Sequence, residues 1–482
     1  MREYVVYNFR LTAVLALVPA GRGGFRRMQD QMRRFLPILL PLCALLWLGA
    51  ATGEAGAAAG VSPARQFVPR QLLVKFQGQR LGRAVALPAG AGVRRTARAL
   101  RQNPRVVYAE PNYIATASAA APGGPFDPDD PGMLGTSAEA TSLLGDWAYK
   151  QWNFLAFEGL ATEQLPISPG GIDAVDAWRN LINAGRPGAQ GVVVAVLDTG
   201  IAYRDMGSRF RRSTDFGRGQ FVPGYDFVGR DRYPLDENGH GTHVAGTIAE
   251  KTDNRIGLTG LAYRARLMPV RVLDRQGRGD AAQIVKGIRF AVAHHAQVIN
   301  MSFNFGCRKR VPAVDEALRA AYEQGVVAVA SAGNLGSESC VSEPATAPRV
   351  IAVGGTTEGG CLGSYSLAGR AIDVVAPGGG IARPGCPSVS ARPIYQVTLR
   401  AGSTSEFAIP ANYVGTSMAA AHVSGVAAMV IAGRALRPKL TGKKLVDEVT
   451  RRLRDTARDI GLSSLQQGAG LIDAGAATAP RP

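Results

Sequence analysis

Three segments of this chain each set one reactive side chain among small neighbours. Val194-Ala195-Val196-Leu197-Asp198-Thr199-Gly200 ends a β-branched run on a carboxylate, Asp198, just before a turn. Asn238-Gly239-His240-Gly241-Thr242-His243-Val244-Ala245-Gly246-Thr247 opens a run of small residues on His240. Gly415-Thr416-Ser417-Met418-Ala419-Ala420-Ala421-His422-Val423-Ser424-Gly425 sets Ser417 at the start of another. Taken singly, each has an ordinary structural role as a turn aspartate, a core histidine or an N-cap serine. Taken together they can do acyl transfer. A serine hydroxyl is a weak nucleophile at neutral pH and needs a base within hydrogen-bond reach, for which an imidazole titrating near neutrality is suited. A buried carboxylate holds that imidazole in one tautomer and stabilises the imidazolium. The roles are then Ser417 as nucleophile, His240 as base and Asp198 as its orienting partner. His240 and His243 lack the Glu and third ligand of a zinc helix, so a metal reading is disfavoured.

These side chains need elements that end at one place. From about Gly170 the sequence alternates strand and helix patterns. Val192–Leu197 is a continuous apolar run dominated by β-branched valines, as a parallel strand buried on both faces requires. Residues 267–273, 298–302, 326–330 and 350–353 read alike, with helical stretches at 282–295 and 314–324 between them. The expectation is an α/β layered fold with a mostly parallel central sheet, whose reactive groups gather at the carboxyl ends of the strands. A separate small α+β unit precedes it. Residues 71–76 and 105–110 read as strands and 95–102 as a basic helix, and an Ala/Gly-rich linker follows from Ala115 to Gly124.

The net charge of +18 is concentrated at the front: residues 1–120 hold 17 Lys and Arg against 4 Asp and Glu. No groove-reading motif accompanies it, so nucleic acid is not an expected partner. Met32-Arg33-Arg34, the apolar run Phe35–Ala51 and the small residues Ala55-Gly56-Ala57 have the order of a cleaved export signal. Pro37, Pro41 and the modest length argue against a permanent membrane span. Leu42-Cys43 is a poor lipobox. In an exported chain Cys307, Cys340, Cys361 and Cys386 read as two disulfides with three possible pairings, and none of their spacings is the C-x-x-C of a zinc site.

The three motifs, in the chain order Asp, His, Ser, resemble the subtilisin-like serine protease (subtilase) family, secreted bacterial type, over about residues 150–476. The tail motif Gly468-Ala469-Gly470-Leu471-Ile472-Asp473-Ala474 is similar to that family's closing segment. The resemblance implies a subtilisin-like three-layer fold and a serine endopeptidase working through an acyl-enzyme. It implies that Asn334, in Val329-Ala330-Ser331-Ala332-Gly333-Asn334, completes an oxyanion hole with the backbone N–H of Ser417. It also implies that substrate lies along Ser302-Phe303-Asn304 and Ser331-Ala332-Gly333. Asn304, Phe305 and Ala421 depart from the family's usual residues, glycine at 304 and proline at 421. By resemblance Cys307 pairs with Cys340, leaving Cys361 to pair with Cys386.

The resemblance also gives the flanks a role. Residues 1–57 become the export region and 58–120 a propeptide with its core at 66–116, which covers the site, assists folding and is removed autocatalytically. Residues 121–169 become the lead of the mature chain, 170–476 the peptidase domain and 477–482 a tail. The expected product is a secreted, extracellular or periplasmic monomer acting on proteins and on its own propeptide. It needs no cofactor for catalysis, and structural calcium is common in the family. Asp127, Asp129 and Asp130 cluster in sequence, but exposed turn carboxylates are the simpler reading, and no metal ligand is assigned. Two other readings share these residues: an inactive relative used for binding or adhesion, and an esterase with the same triad.

Overall fold

The computed structural model describes residues 67–117, 147–158 and 166–480, apart from 89, 253, 255, 337–339, 434 and 437–439. Residues 1–57, expected to direct export, residues 118–146 with Asp127, Asp129 and Asp130, and the last two residues of the expected tail lie outside the described residues.

The first described unit is built from β1 (Phe67–Phe76), β2 (Arg83–Ala86), α1 (Val93–Leu100) and β3 (Val106–Ala117). Its strands are antiparallel in the order β2-β1-β3. Residues of alternate parity on β1 and β3 face α1, so Leu72, Val74, Val93, Ala97 and Ala109 close a small core of their own. β2 is a strand that the sequence pattern does not announce, since Arg83-Ala84-Val85-Ala86 holds one strong β-former.

The larger unit carries β4 (Val193–Asp198), β5 (Tyr225–Asp226), β6 (Arg266–Arg271), β7 (Arg278–Asp280), β8 (Val298–Met301), β9 (Phe303–Asn304), β10 (Val327–Ser331), β11 (Val350–Thr356) and β12 (Val374–Pro377). Seven of these form one sheet in the order β12-β11-β10-β8-β4-β6-β5, and every pairing in it is parallel. The main helices are α2 (Ala174–Asn183), α3 (His240–Ala249), α4 (Ala281–Ala293), α5 (Pro312–Glu323), α6 (Thr416–Ala432) and α7 (Lys443–Asp455). α3 and α6 pack together against the sheet, and α4 and α5 pack together against it elsewhere. This is the layered α/β fold expected of the alternating pattern.

α3 is buried over its full length and α6 from Thr416 to Val430. A helix enclosed on all sides must be apolar or small all round. Their Gly- and Ala-rich composition is therefore a packing requirement. α6 runs through Ala421 without interruption. Cys307 is bonded to Cys340 and Cys361 to Cys386.

β3 is longer than its local sequence predicts. It passes through Pro111, which sits opposite Leu72 and supplies no N–H to the ladder. Beyond it, Ile114, Ala115 and Thr116 pair antiparallel with Asp280, Gly279 and Arg278, while Thr116 and Ala117 pair with Asn304 and Phe303. Nothing in Ile114-Ala115-Thr116-Ala117 suggests a turn or a strand strongly. The strand forms there because two unpaired edges of the larger unit flank it.

Candidate active site

Parallel strands deliver their carboxyl ends to one side of a sheet. Leu197 is level with Met301, and Met301 with Ala330. The next residue of each strand, Asp198, Ser302 and Ser331, therefore emerges at the same height on three neighbouring strands. α3 begins at His240 beside Asp198. Gly241 has to be glycine here, because a Cβ would stand 2.1 Å from the carbonyl oxygen of Gly200. Gly239 (φ +100°) lies against Tyr413 in the lead into α6, which sets the mouths of the two buried helices side by side.

The Nδ1 atom of His240 is 2.7 Å from Oδ1 of Asp198, which also accepts the N–H of Thr199 at 2.7 Å. Asp198 is wholly buried and His240 is 3% exposed. Burial pulls the imidazole down, but the charge of Asp198 and its hydrogen bond, joined by the charge of Asp236, outweigh that and leave His240 above its ordinary value. Nε2 of His240 is buried and has no hydrogen-bond partner.

Ser417 is buried in the first turn of α6. Its hydroxyl donates to the carbonyl of Ser302 at 3.1 Å, while the Ser302 hydroxyl donates to the carbonyl of Ser417 at 2.9 Å. Asn334 is held at the same helix mouth, its Oδ1 accepting from the N–H and hydroxyl of Thr416, each at 2.9 Å. That leaves Nδ2 of Asn334 as a buried donor with no partner. An orphaned buried donor costs about 1–3 kcal/mol unless an acceptor arrives. Such a donor beside a serine hydroxyl and a helix N-terminus is suited to a developing oxyanion.

The other sequence-derived positions divide. Phe303 and Asn304 form β9 and pair with β3. Ala332 and Gly333 turn inward: the Ala332 N–H donates to Val353, and the Gly333 N–H to the Thr416 hydroxyl at 3.1 Å. The second edge that pairs with β3 is Arg278–Asp280, which sequence reasoning did not single out. A signal was present, because Gly277-Arg278-Gly279 precedes a D-x-x-Q capping box, Asp280 and Gln283, that opens α4.

The first unit is fixed to this region by more than the strand. Asn112 accepts the N–H of Ala282 at 3.2 Å, in the first turn of α4. Glu110 accepts the N–H of Ala313 at 3.2 Å, in the first turn of α5. Lys75 pairs with Glu316 at 2.8 Å. Burial, helped by Asp315 and opposed by the Ala313 N–H and Arg101, pushes the Glu110 carboxyl up to about 8. Among the described residues no group of three or more His, Cys, Asp or Glu converges as metal ligands.

Comparison with known proteins agrees with this geometry. The model of the subtilase family matches residues 189–470. The chain is 33% identical over 333 residues to a thermophilic serine proteinase of Bacillus sp. strain AK1, covering 69% of this chain and 65% of that protein. It is 36% identical over 311 residues to subtilisin BL of Lederbergia lenta, covering 64% of this chain and 98% of the relative. An extracellular protease of Xanthomonas campestris is 36% identical over 322 residues, covering 60% of this chain and 51% of that protein. A solved protease structure from Pseudoalteromonas arctica PAMC 21717 superposes with a TM-score of 0.54 at 32% identity, over 64% of this chain and 94% of that one. The chain belongs to the subtilase family of serine-type endopeptidases.

Proposed function

We propose that the chain is made as a self-inhibited precursor and hydrolyses peptide bonds in proteins through Asp198, His240, Ser417 and Asn334. The observation that carries this reading is the seating of β3. An extended segment of the chain itself lies antiparallel between two edge strands, 278–280 and 303–304, and Ser302, just before the second edge, exchanges hydrogen bonds with Ser417. Strand addition of this kind recognises main chain through hydrogen bonds, which favours polypeptide over simple ester substrates.

For attack, the Ser417 hydroxyl leaves the Ser302 carbonyl and donates to Nε2 of His240, the free atom on that ring. His240 takes the proton and Asp198 stabilises the imidazolium. The scissile carbonyl oxygen, becoming negative, accepts from Nδ2 of Asn334 and from the N–H of Ser417. His240 then protonates the leaving amine, and water repeats the cycle on the acyl-enzyme. The reaction of this family needs no cofactor.

Residues 58–120 act as propeptide and are cleaved autocatalytically in the segment after Tyr113, following export directed by residues 1–57. Labelling of the secreted protein with a fluorophosphonate, combined with mass spectrometry of its mature end, tests this. The expected result is covalent labelling that Ser417→Ala abolishes, casein digestion, and a mature N-terminus beyond residue 113. Ester hydrolysis without casein digestion, or residues 66–116 still attached in the active enzyme, would overturn it.

A further inference from the structure

Asp236 lies in the turn before α3 and is 1% exposed. Its carboxylate has no cationic partner among the described ion pairs, and it takes five hydrogen bonds instead. Oδ1 accepts from the Thr199 hydroxyl at 2.9 Å and from the N–H groups of Asn238 at 2.9 Å and Gly239 at 3.0 Å. Oδ2 accepts from the N–H of Thr242 at 3.0 Å and its hydroxyl at 2.6 Å. A helix cap needs only one such oxygen. The bond to Thr199 reaches a different element, the end of β4. Thr199 also accepts the N–H of Gly241 at 3.0 Å, and its own N–H donates to the Asp198 oxygen that holds His240.

We infer that Asp236 is a positioning residue of the reaction, which locks the Asp198 loop to the mouth of the His240 helix and so holds the Asp198–His240 hydrogen bond in place. This inference rests on the triad reading given above. A carboxylate kept this deep is costly unless its hydrogen bonds are all satisfied, and a merely local turn does not require one. Its charge also faces His240. Among the described residues, Asp198 from β4 and His243 from the same helix also act on that imidazole, and Tyr413, from the lead into α6, stacks on His243. Burial holds His243 down at about 3 and drives Tyr413 well above its ordinary value. Neither changes charge in the working range, so the two carboxylates set the charge that His240 feels.

The test is kcat, KM and the pH profile of kcat/KM on a peptide amide, for wild type, Asp236→Asn, Thr199→Val and Thr199→Ser. Misplacing a catalytic group by about 1 Å costs about 10²-fold, and Asp236→Asn is expected to lower kcat by that order with KM little changed. Removing a negative charge makes the imidazolium less favourable, so the acid limb moves to lower pH. Thr199→Val breaks the link and keeps the charge: kcat falls and the acid limb stays. Thr199→Ser restores kcat, and this pair decides the matter if Asp236→Asn does not fold. A folded Asp236→Asn with wild-type kcat and acid limb overturns the inference alone, as does equal kcat in the two Thr199 variants. Wild-type activity that survives Ser417→Ala overturns the triad reading and the inference with it.

Discussion

At the scale of single residues, the site is marked by groups left without partners. Most buried polar atoms in a folded protein are satisfied. Nε2 of His240, at the mouth of α3, and Nδ2 of Asn334, at the mouth of α6, are among the exceptions. Thr416 explains why Asn334 is so oriented: by occupying Oδ1 it turns the amide nitrogen outward as donor. Asn334→Ala removes the donor together with the oxygen that accepts from Thr416. Its expected effect is a fall in kcat of about 10²–10³ with KM within a few-fold of wild type, read from steady-state kinetics on a peptide amide. Equal losses in a Thr416→Val variant would show that the orientation of the amide, and not only its presence, matters.

At the scale of elements, two helix N-termini and two strand edges bind the first unit to the second. Free N–H groups at a helix start attract a carboxylate or an amide oxygen, and Glu110 and Asn112 supply one of each to α5 and α4. Glu110 is costly to ionise in that place. Its carboxyl, raised from an ordinary 4.5 to about 8, binds a proton more tightly docked than free. The docked state is therefore favoured fully below about 4.5, and that contribution is lost as pH rises through about 8. In a Ser417→Ala precursor, protection of residues 67–117 from an added protease should weaken across this window. Glu110→Gln should flatten the dependence. A precursor whose protection rises with pH would contradict the assignment.

At the scale of the whole molecule, the two disulfides tie loops at the carboxyl side of the sheet. Cys307 and Cys340 enclose α5, β10 and Asn334 across a sequence separation of 33 residues. Such a bridge contributes about 2–4 kcal/mol, chiefly by restricting the unfolded chain. The double variant Cys307→Ser/Cys340→Ser, made on Ser417→Ala to prevent self-digestion, should lose about that much in denaturant titration. The loss should vanish when both proteins are titrated in reductant.

The serine-type endopeptidase class and the parallel sheet were legible in the sequence. The proposed triad, Asp198, His240 and Ser417, could be picked out because acyl transfer requires those side-chain types among small residues that let two helices and a strand end approach. The strands were legible because burial on both faces demands unbroken apolar runs rich in β-branched residues, such as Val192–Leu197. The pairing of β3 with Arg278–Asp280 and its reach to Ala117 emerge only from the folded chain. Strand pairing is made by main-chain groups that every residue carries, so Arg278-Gly279-Asp280 and Ile114-Ala115-Thr116-Ala117 reveal each other only once the fold brings them side by side. Asp236 escaped for a related reason. In Leu235-Asp236-Glu237-Asn238-Gly239 it reads as one more turn aspartate, and only the approach of Thr199 at the end of β4 ties its carboxylate to another element.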